Sequence, residues 1–168
     1  MSHVLLLDTN IWSHLQLGDE AKRLAVQAGL DALLKKYPGA ARATSAICVA
    51  ECLVAARRIP DETERNAVEA AFQAEFANPE LMVVEVSQGL LDKAAGLRAE
   101  ALRRSAAAGD TAAGADVGKL KLPDAVVAAS CLDFDPPAIL VTENDKDFRY
   151  QQDGQSFTVA GLIVERVG

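Results

Sequence analysis

Three short apolar runs separated by long stretches of helical periodicity constrain this chain more than any other feature. Val4-Leu5-Leu6-Leu7, Leu81–Val86 and Ala138–Thr142 are short, branched and apolar, the pattern of strands buried within a parallel sheet. A helical stretch follows the first run to about Lys36 and is ended by Pro38 and Gly39. Thr44 or Ser45 can cap a helix that runs to about Arg58 and stops before Pro60, and a partner helix spans Asp61 to Ala77. From Gln88 to about Ala108, Leu90, Leu91, Ala94, Leu97, Ala101 and Leu102 recur at spacings of three and four, an amphipathic helix. Pro123 opens a further helix at its first turn, ending near Phe134. Phe157-Thr158-Val159 reads as a short fourth strand. Strands that alternate with helices predict an α/β fold: a three-layer sandwich with a mostly parallel central sheet flanked by helices.

A chain of 168 residues, half of them hydrophobic, suits one domain over 1–168. Ser105 to Gly118 is rich in Ala, Gly and Asp, and reads as a helix end followed by a mobile loop. Asp8 cuts the first apolar run too early for a signal peptide, and no stretch approaches the roughly 20 apolar residues of a membrane helix. The expectation is a cytoplasmic protein that does not enter a membrane. The three cysteines, Cys48, Cys52 and Cys131, have no disulfide-framework spacing and read as buried thiols. His3 and His14 are not spaced to complete a zinc site with them.

The informative acids are those in apolar surroundings. Asp8 is the only charged residue from Val4 to Ser13, Glu51 from Thr44 to Ala56, and Asp124 from Leu122 to Leu132. A carboxylate so placed is costly unless something compensates it. For Asp8 and Asp124 taken singly, helix capping or the helix dipole suffices. Glu51 lies in mid-helix and caps nothing, although an ion pair with an arginine is a structural alternative. Asp8 ends a strand, and the Ile139–Val141 strand runs into Thr142-Glu143-Asn144-Asp145-Lys146-Asp147. In open α/β sheets, sites form beyond the carboxyl ends of strands. Two strand ends and two helices can therefore bring oxygen ligands to one point. Clustered carboxylates repel one another, and a hard divalent cation, Mg²⁺ or Mn²⁺, removes that penalty. Such a site suits phosphodiester hydrolysis, with metal-activated water and a carboxylate to orient or deprotonate it.

Leu7-Asp8-Thr9-Asn10 after the first strand, Ser45 to Glu51 in a helix, Leu122-Pro123-Asp124-Ala125 opening a later helix, and Val141–Phe148 after a strand come in an order that resembles the PIN domain. Within that family the chain resembles the VapC toxins of bacterial toxin–antitoxin pairs. The resemblance covers nearly the whole chain. It implies a PIN-like fold, with catalytic and metal-binding roles for Asp8, Glu51 and Asp124. At the last position it implies Asn144, two residues after the threonine, and Asp147, before the phenylalanine, ranked above Asp145; the sequence does not choose among them. Glu143 reads as solvated. Thr9, Asn10, Ser45 and Thr142 would orient the ligands through hydrogen bonds. The resemblance also implies RNA cleavage, a cognate VapB-like antitoxin partner and a homodimer.

Arg57 and Arg58 follow Glu51 by six and seven residues, which places Arg58 on the same helix face, about 10 Å along. They are the first candidates for RNA contacts, and Lys119 and Lys121 beside Asp124 are the second. The net charge of −7 is unusual for a protein that meets phosphates. Part of it lies in the clustered carboxylates and part in Asp61–Glu75, and an acidic chain suits a partner with a basic segment. The reading is a metal-dependent endoribonuclease. The alternative is a catalytically weak PIN-like module that binds RNA or protein, which a neutral Asn144 would permit. A phosphatase with Asp8 as nucleophile is disfavoured because Asn10 stands where a second acid is wanted.

Overall fold

The order of the strands explains where chemistry can occur. The computed structural model describes residues 3–107, 120–152 and 155–167. Among them the elements run β1 (Val4–Leu7), α1 (Thr9–Leu17), α2 (Glu20–Lys36), β2 (Ala41–Ser45), α3 (Ala46–Arg57), α4 (Glu62–Phe76), β3 (Leu81–Val84), α5 (Gln88–Ala107), α6 (Leu122–Cys131), β4 (Ile139–Thr142), β5 (Arg149–Gln152), β6 (Gln155–Thr158) and β7 (Val164–Arg166). The main sheet has the order β3-β2-β1-β4-β7. Every pairing in it is parallel, with Leu6 opposite both Ala43 and Leu140. The chain leaves β1 toward β2 and β3, then returns to its other side at β4. The reversal opens a crevice beyond the carboxyl ends of β1 and β4, where Asp8 and Thr142 stand.

Strand alternation sends side chains to two cores. Leu6 and Leu140 face one core with Ala94 and Ala101 of α5 and Ala125 to Ala129 of α6. Leu5, Leu7, Ile139 and Val141 face the other, with Ile11 and Trp12 of α1, Val26 and Leu33 of α2, and Phe72 of α4. Helix α3 contributes Cys48 to the first core and Cys52 and Ala56 to the second. All three cysteines are buried free thiols, as their surroundings predict. Helices thus cover both faces, and the α/β sandwich expected from the sequence is the fold. No helix among the described residues is long and apolar enough to cross a membrane.

Several boundaries differ from the sequence reading. The first helical stretch is two helices. Asp19 caps α2 by accepting the Lys22 amide at 2.8 Å, and Gly18 stands between the helices because a Cβ there would come within 2.5 Å of the His14 carbonyl oxygen. Strand β2, Ala41-Arg42-Ala43-Thr44-Ser45, was not expected, because alanine-rich segments carry little strand propensity. It is a strand because it sits between β1 and β3, with Ala43 fully buried against Leu6. The Phe157–Val159 segment contributes to β6, which pairs with β5 in an antiparallel hairpin; the fifth strand of the main sheet is β7. Residues 105–107 close α5, as the helix-end reading expected. The rest of the loop assigned to 105–118, and Lys119, lie outside the described residues.

Candidate metal and phosphodiester site

Asp8 directly follows β1 and is the N-cap of α1, so its backbone is fixed between the two elements. Its amide donates to the Val141 carbonyl at 3.0 Å, which ties it to β4. The carboxylate is 6% exposed and accepts three hydrogen bonds. Oδ1 takes the Thr9 amide at 2.8 Å; Oδ2 takes Asn10 Nδ2 and Thr142 Oγ1, each at 2.8 Å. Burial raises its pKa above the usual carboxylate range, opposed by these bonds and assisted by the charge of Glu51. The capping reading of Asp8 is therefore correct and incomplete.

Thr142 uses its whole hydrogen-bonding capacity here. Its hydroxyl donates to Asp8 and accepts from Asn10 Nδ2 at 2.9 Å and from the Asn144 amide at 3.1 Å. Asn10 Oδ1 accepts the Glu143 amide at 2.9 Å. Thr9 Oγ1 donates to Glu51 Oε2 at 2.5 Å. Thr9, Asn10 and Thr142 thus bind the carboxylates or the chain that follows β4. Ser45 does not: it is fully buried, makes no side-chain cap bond, and accepts from Ser130 Oγ of α6 at 3.0 Å.

Asp124 lies in the first turn of α6, directly after Pro123. Its Oδ2 is buried and has no hydrogen-bond partner. Burial lifts its pKa to about 6, and the charges of Asp147, Asp8 and Glu51 add to the rise while Lys121 opposes it. A carboxylate oxygen buried without a donor, among other carboxylates, is an uncompensated acceptor. Asp8, Glu51, Asp124, Asn144 and Asp147 line one cleft of about 390 Å³, together with Thr9, Asn10, Ser13 and His14. Asn144 Nδ2 donates to Asp147 Oδ2 at 2.5 Å. Asp145, the third candidate for the last position, instead accepts Arg149 Nε at 2.8 Å.

The donor chemistry fits a hard cation: the cleft presents carboxylate and amide oxygens, and the orphaned Asp124 oxygen lacks a positive partner. Among the described residues, no three His, Cys, Asp or Glu side chains are already gathered into a group that could hold an ion. Glu51 and Asp147 are held to Thr9 and Asn144, so their carboxylates would turn from these partners to close around one.

The basic candidates lie elsewhere. Arg57 is exposed and makes two bonds to Glu69 Oε1, at 2.7 and 3.1 Å. Neither Arg57, Arg58 nor Lys121 lines the cleft. Glu143 is not solvated as expected: its carboxylate is ion-paired with Lys22 and in contact with His14 Nε2, and the Lys22 bond is the main cause of its lowered pKa. The sequence reading did not single out Ser13 and His14 as cleft residues. His14 lies four residues after Asn10 on α1, a spacing that puts both on one helix face.

A family model described as the PIN domain matches residues 5–152. No curated protein gives a significant match to the sequence. Solved structures of similar fold include FitAcB from Neisseria gonorrhoeae, 18% identical, covering 96% of this chain and 96% of that one with a TM-score of 0.62. VapBC2 from Rickettsia felis, bound to a DNA fragment from its promoter, is 17% identical over 98% and 99%, with a TM-score of 0.58. A toxin–antitoxin complex from Klebsiella pneumoniae is 25% identical over 86% and 89%, with a TM-score of 0.54.

Proposed function

Since the chain belongs to the PIN-domain family, we propose that it is a Mg²⁺- or Mn²⁺-dependent endoribonuclease and the toxin of a toxin–antitoxin pair. The observation that carries the chemistry is the single cleft lined by Asp8, Glu51, Asp124 and Asp147, with a buried Asp124 oxygen that nothing satisfies. Asp8, Glu51, Asp124, Asn144 and Asp147 would hold the cation. When bound, it would polarise a phosphoryl oxygen and acidify a water. Thr142 and Asn10 fix the Asp8 carboxylate, and Thr9 fixes Glu51. A carboxylate of the cluster, with its proton affinity raised by burial, is suited to accept the proton of an attacking water.

The experiment is RNA cleavage by the purified chain with Mn²⁺, with Mg²⁺ and with EDTA. Cleavage that requires metal and disappears in Asp8→Ala supports the reading. Binding of RNA without such cleavage would favour the second reading, a PIN-like binding module. One observation supports that alternative: a neutral Asn144 among the candidate ligands.

An antitoxin partner is supported by the acidic chain and by its fold, shared with the Klebsiella toxin–antitoxin complex. A second groove, which shares the α1 helix with the cleft, is lined by apolar residues that include Leu15, Leu24, Leu30 and Leu34 and by polar ones that include Arg23, Arg42 and Glu75. It offers an apolar surface close to the carboxylates. A basic partner side chain directed at Asp8, Glu51 or Asp124 would make charge-assisted bonds there. A purified complex lacking any partner contact near these three residues would contradict this part of the proposal. Homodimerisation, read by light scattering, completes it; β3 lies at one edge of the sheet and exposes Met82 and Val83.

A further inference from the structure

We propose that Glu143 is a positioning residue for the metal site: held by Lys22 and His14, it fixes the segment that carries Asn144 and Asp147. The inference rests on the metal-dependent reading above and names a residue that takes no part in ligation.

The segment after β4 is anchored at its far end, where Phe148 is buried in the core, but its near end is more open. It forms a single 3-10 turn, Asp145–Phe148, beginning at an exposed Asn144 that makes no side-chain cap bond. Glu143 supplies what is missing. Its carboxylate is ion-paired with Lys22 of α2 and in contact with His14 Nε2 of α1, and the side chains of all three are roughly one-quarter exposed. One backbone step away, its amide donates to Asn10 Oδ1 at 2.9 Å. The next amide, of Asn144, donates to Thr142 Oγ1, the group that also binds Asp8. The turn is therefore fixed to α1 and α2 by a side chain and to the Asp8 network by two consecutive amides. The Asn144 side chain in turn binds Asp147. Removing the Glu143 side chain leaves the near end of the turn held by the two amide bonds alone, and a ligand that must be reordered on binding weakens affinity. His14 has a second consequence: held by Glu143, it presents an imidazole on the wall of an otherwise acidic cleft.

The test is Mn²⁺ binding by titration calorimetry on the full chain, with amide hydrogen exchange in EDTA as a second readout. Glu143→Ala is expected to weaken Mn²⁺ binding about 10-fold, and Lys22→Met, which leaves Glu143 in place, by a smaller factor. In an Asn144→Ala, Asp147→Ala background, Glu143→Ala is expected to cause no further loss, because its effect is transmitted through those residues. A general loss of stability would not produce that non-additivity. Exchange of the Glu143 and Asn144 amides should accelerate in Glu143→Ala while α6 amides keep their protection. Wild-type binding with unchanged affinity in Glu143→Ala overturns the inference alone, as does an equal loss in the double-alanine background. A wild-type chain that binds no Mn²⁺ overturns the metal-dependent reading and this inference with it.

Discussion

Replacing Asp124 by asparagine is expected to stabilise the metal-free protein at pH 7.5. Burial and neighbouring carboxylates lift the Asp124 pKa from 3.8 to about 6 in the folded chain. The folded state therefore holds that proton more tightly than the unfolded state. Its favourable contribution is complete below about pH 4 and is lost as the pH rises through about 6. Each pKa unit corresponds to about 1.4 kcal/mol, giving an upper limit near 3 kcal/mol. Asp124 is only part-buried, and solvent screening reduces this to about 1–2 kcal/mol. For a domain of this size that is a Tm rise of about 2–8 °C. Asparagine cannot ionise, so it removes the penalty at pH 7.5 and changes little at pH 4. The assay is thermal denaturation of both proteins in EDTA at the two pH values, followed by titration with Mg²⁺. Added Mg²⁺ should stabilise the wild type and close the gap, because a ligand bound only by the folded state adds stability. A variant destabilised at pH 7.5, or equally stabilised at both pH values, would mean that the buried Asp124 carboxylate carries no such penalty.

Other outcomes follow from the same contacts. Thr142→Val removes the hydroxyl shared by Asp8, Asn10 and Asn144; it should cost about 1–3 kcal/mol in urea denaturation and weaken Mn²⁺ binding measured by calorimetry. Phe72→Ala should cost about 3–5 kcal/mol in the same denaturation assay, since the ring is fully buried and stacked on Phe76 at 5.8 Å. Gly29→Val should loosen the C-terminal segment and expose it to proteolysis, because a Cβ at Gly29 would lie 2.8 Å from Val167 Cβ. Arg57→Ala should leave RNA cleavage nearly unchanged, because Arg57 is engaged with Glu69 outside the cleft.

Much of the fold was legible wherever a pattern is local. The apolar runs at β1, β3 and β4 and the spacing in α5 carry their own periodicity. Strand β2 was not legible, since its alanines gain their strand state from the strands on either side. Nor was β7, which is three residues long and is defined by its pairing with β4. The site was legible for Asp8, Glu51 and Asp124 because each is a lone charge in an apolar element. Glu143 sits in a polar run where one more acid carries no signal. Its partners on α1 and α2 lie more than 120 residues away in sequence and become visible only once the helices fold over the sheet. Arg57 fell on a helical position that suits a phosphate contact, but α4 packs beside α3 and brings Glu69 to it.

On the metal-dependent reading, the carboxylates that follow β1, line α3, open α6 and lie in the turn after β4 hold one divalent-cation site. Anomalous diffraction from crystals grown with Mn²⁺ tests it most directly. A manganese peak is expected within the cleft, with oxygens of Asp8 and Asp124 among its ligands. Saturation with Mn²⁺ that leaves this cleft without a peak, or places the metal away from Asp8 and Asp124, would contradict it.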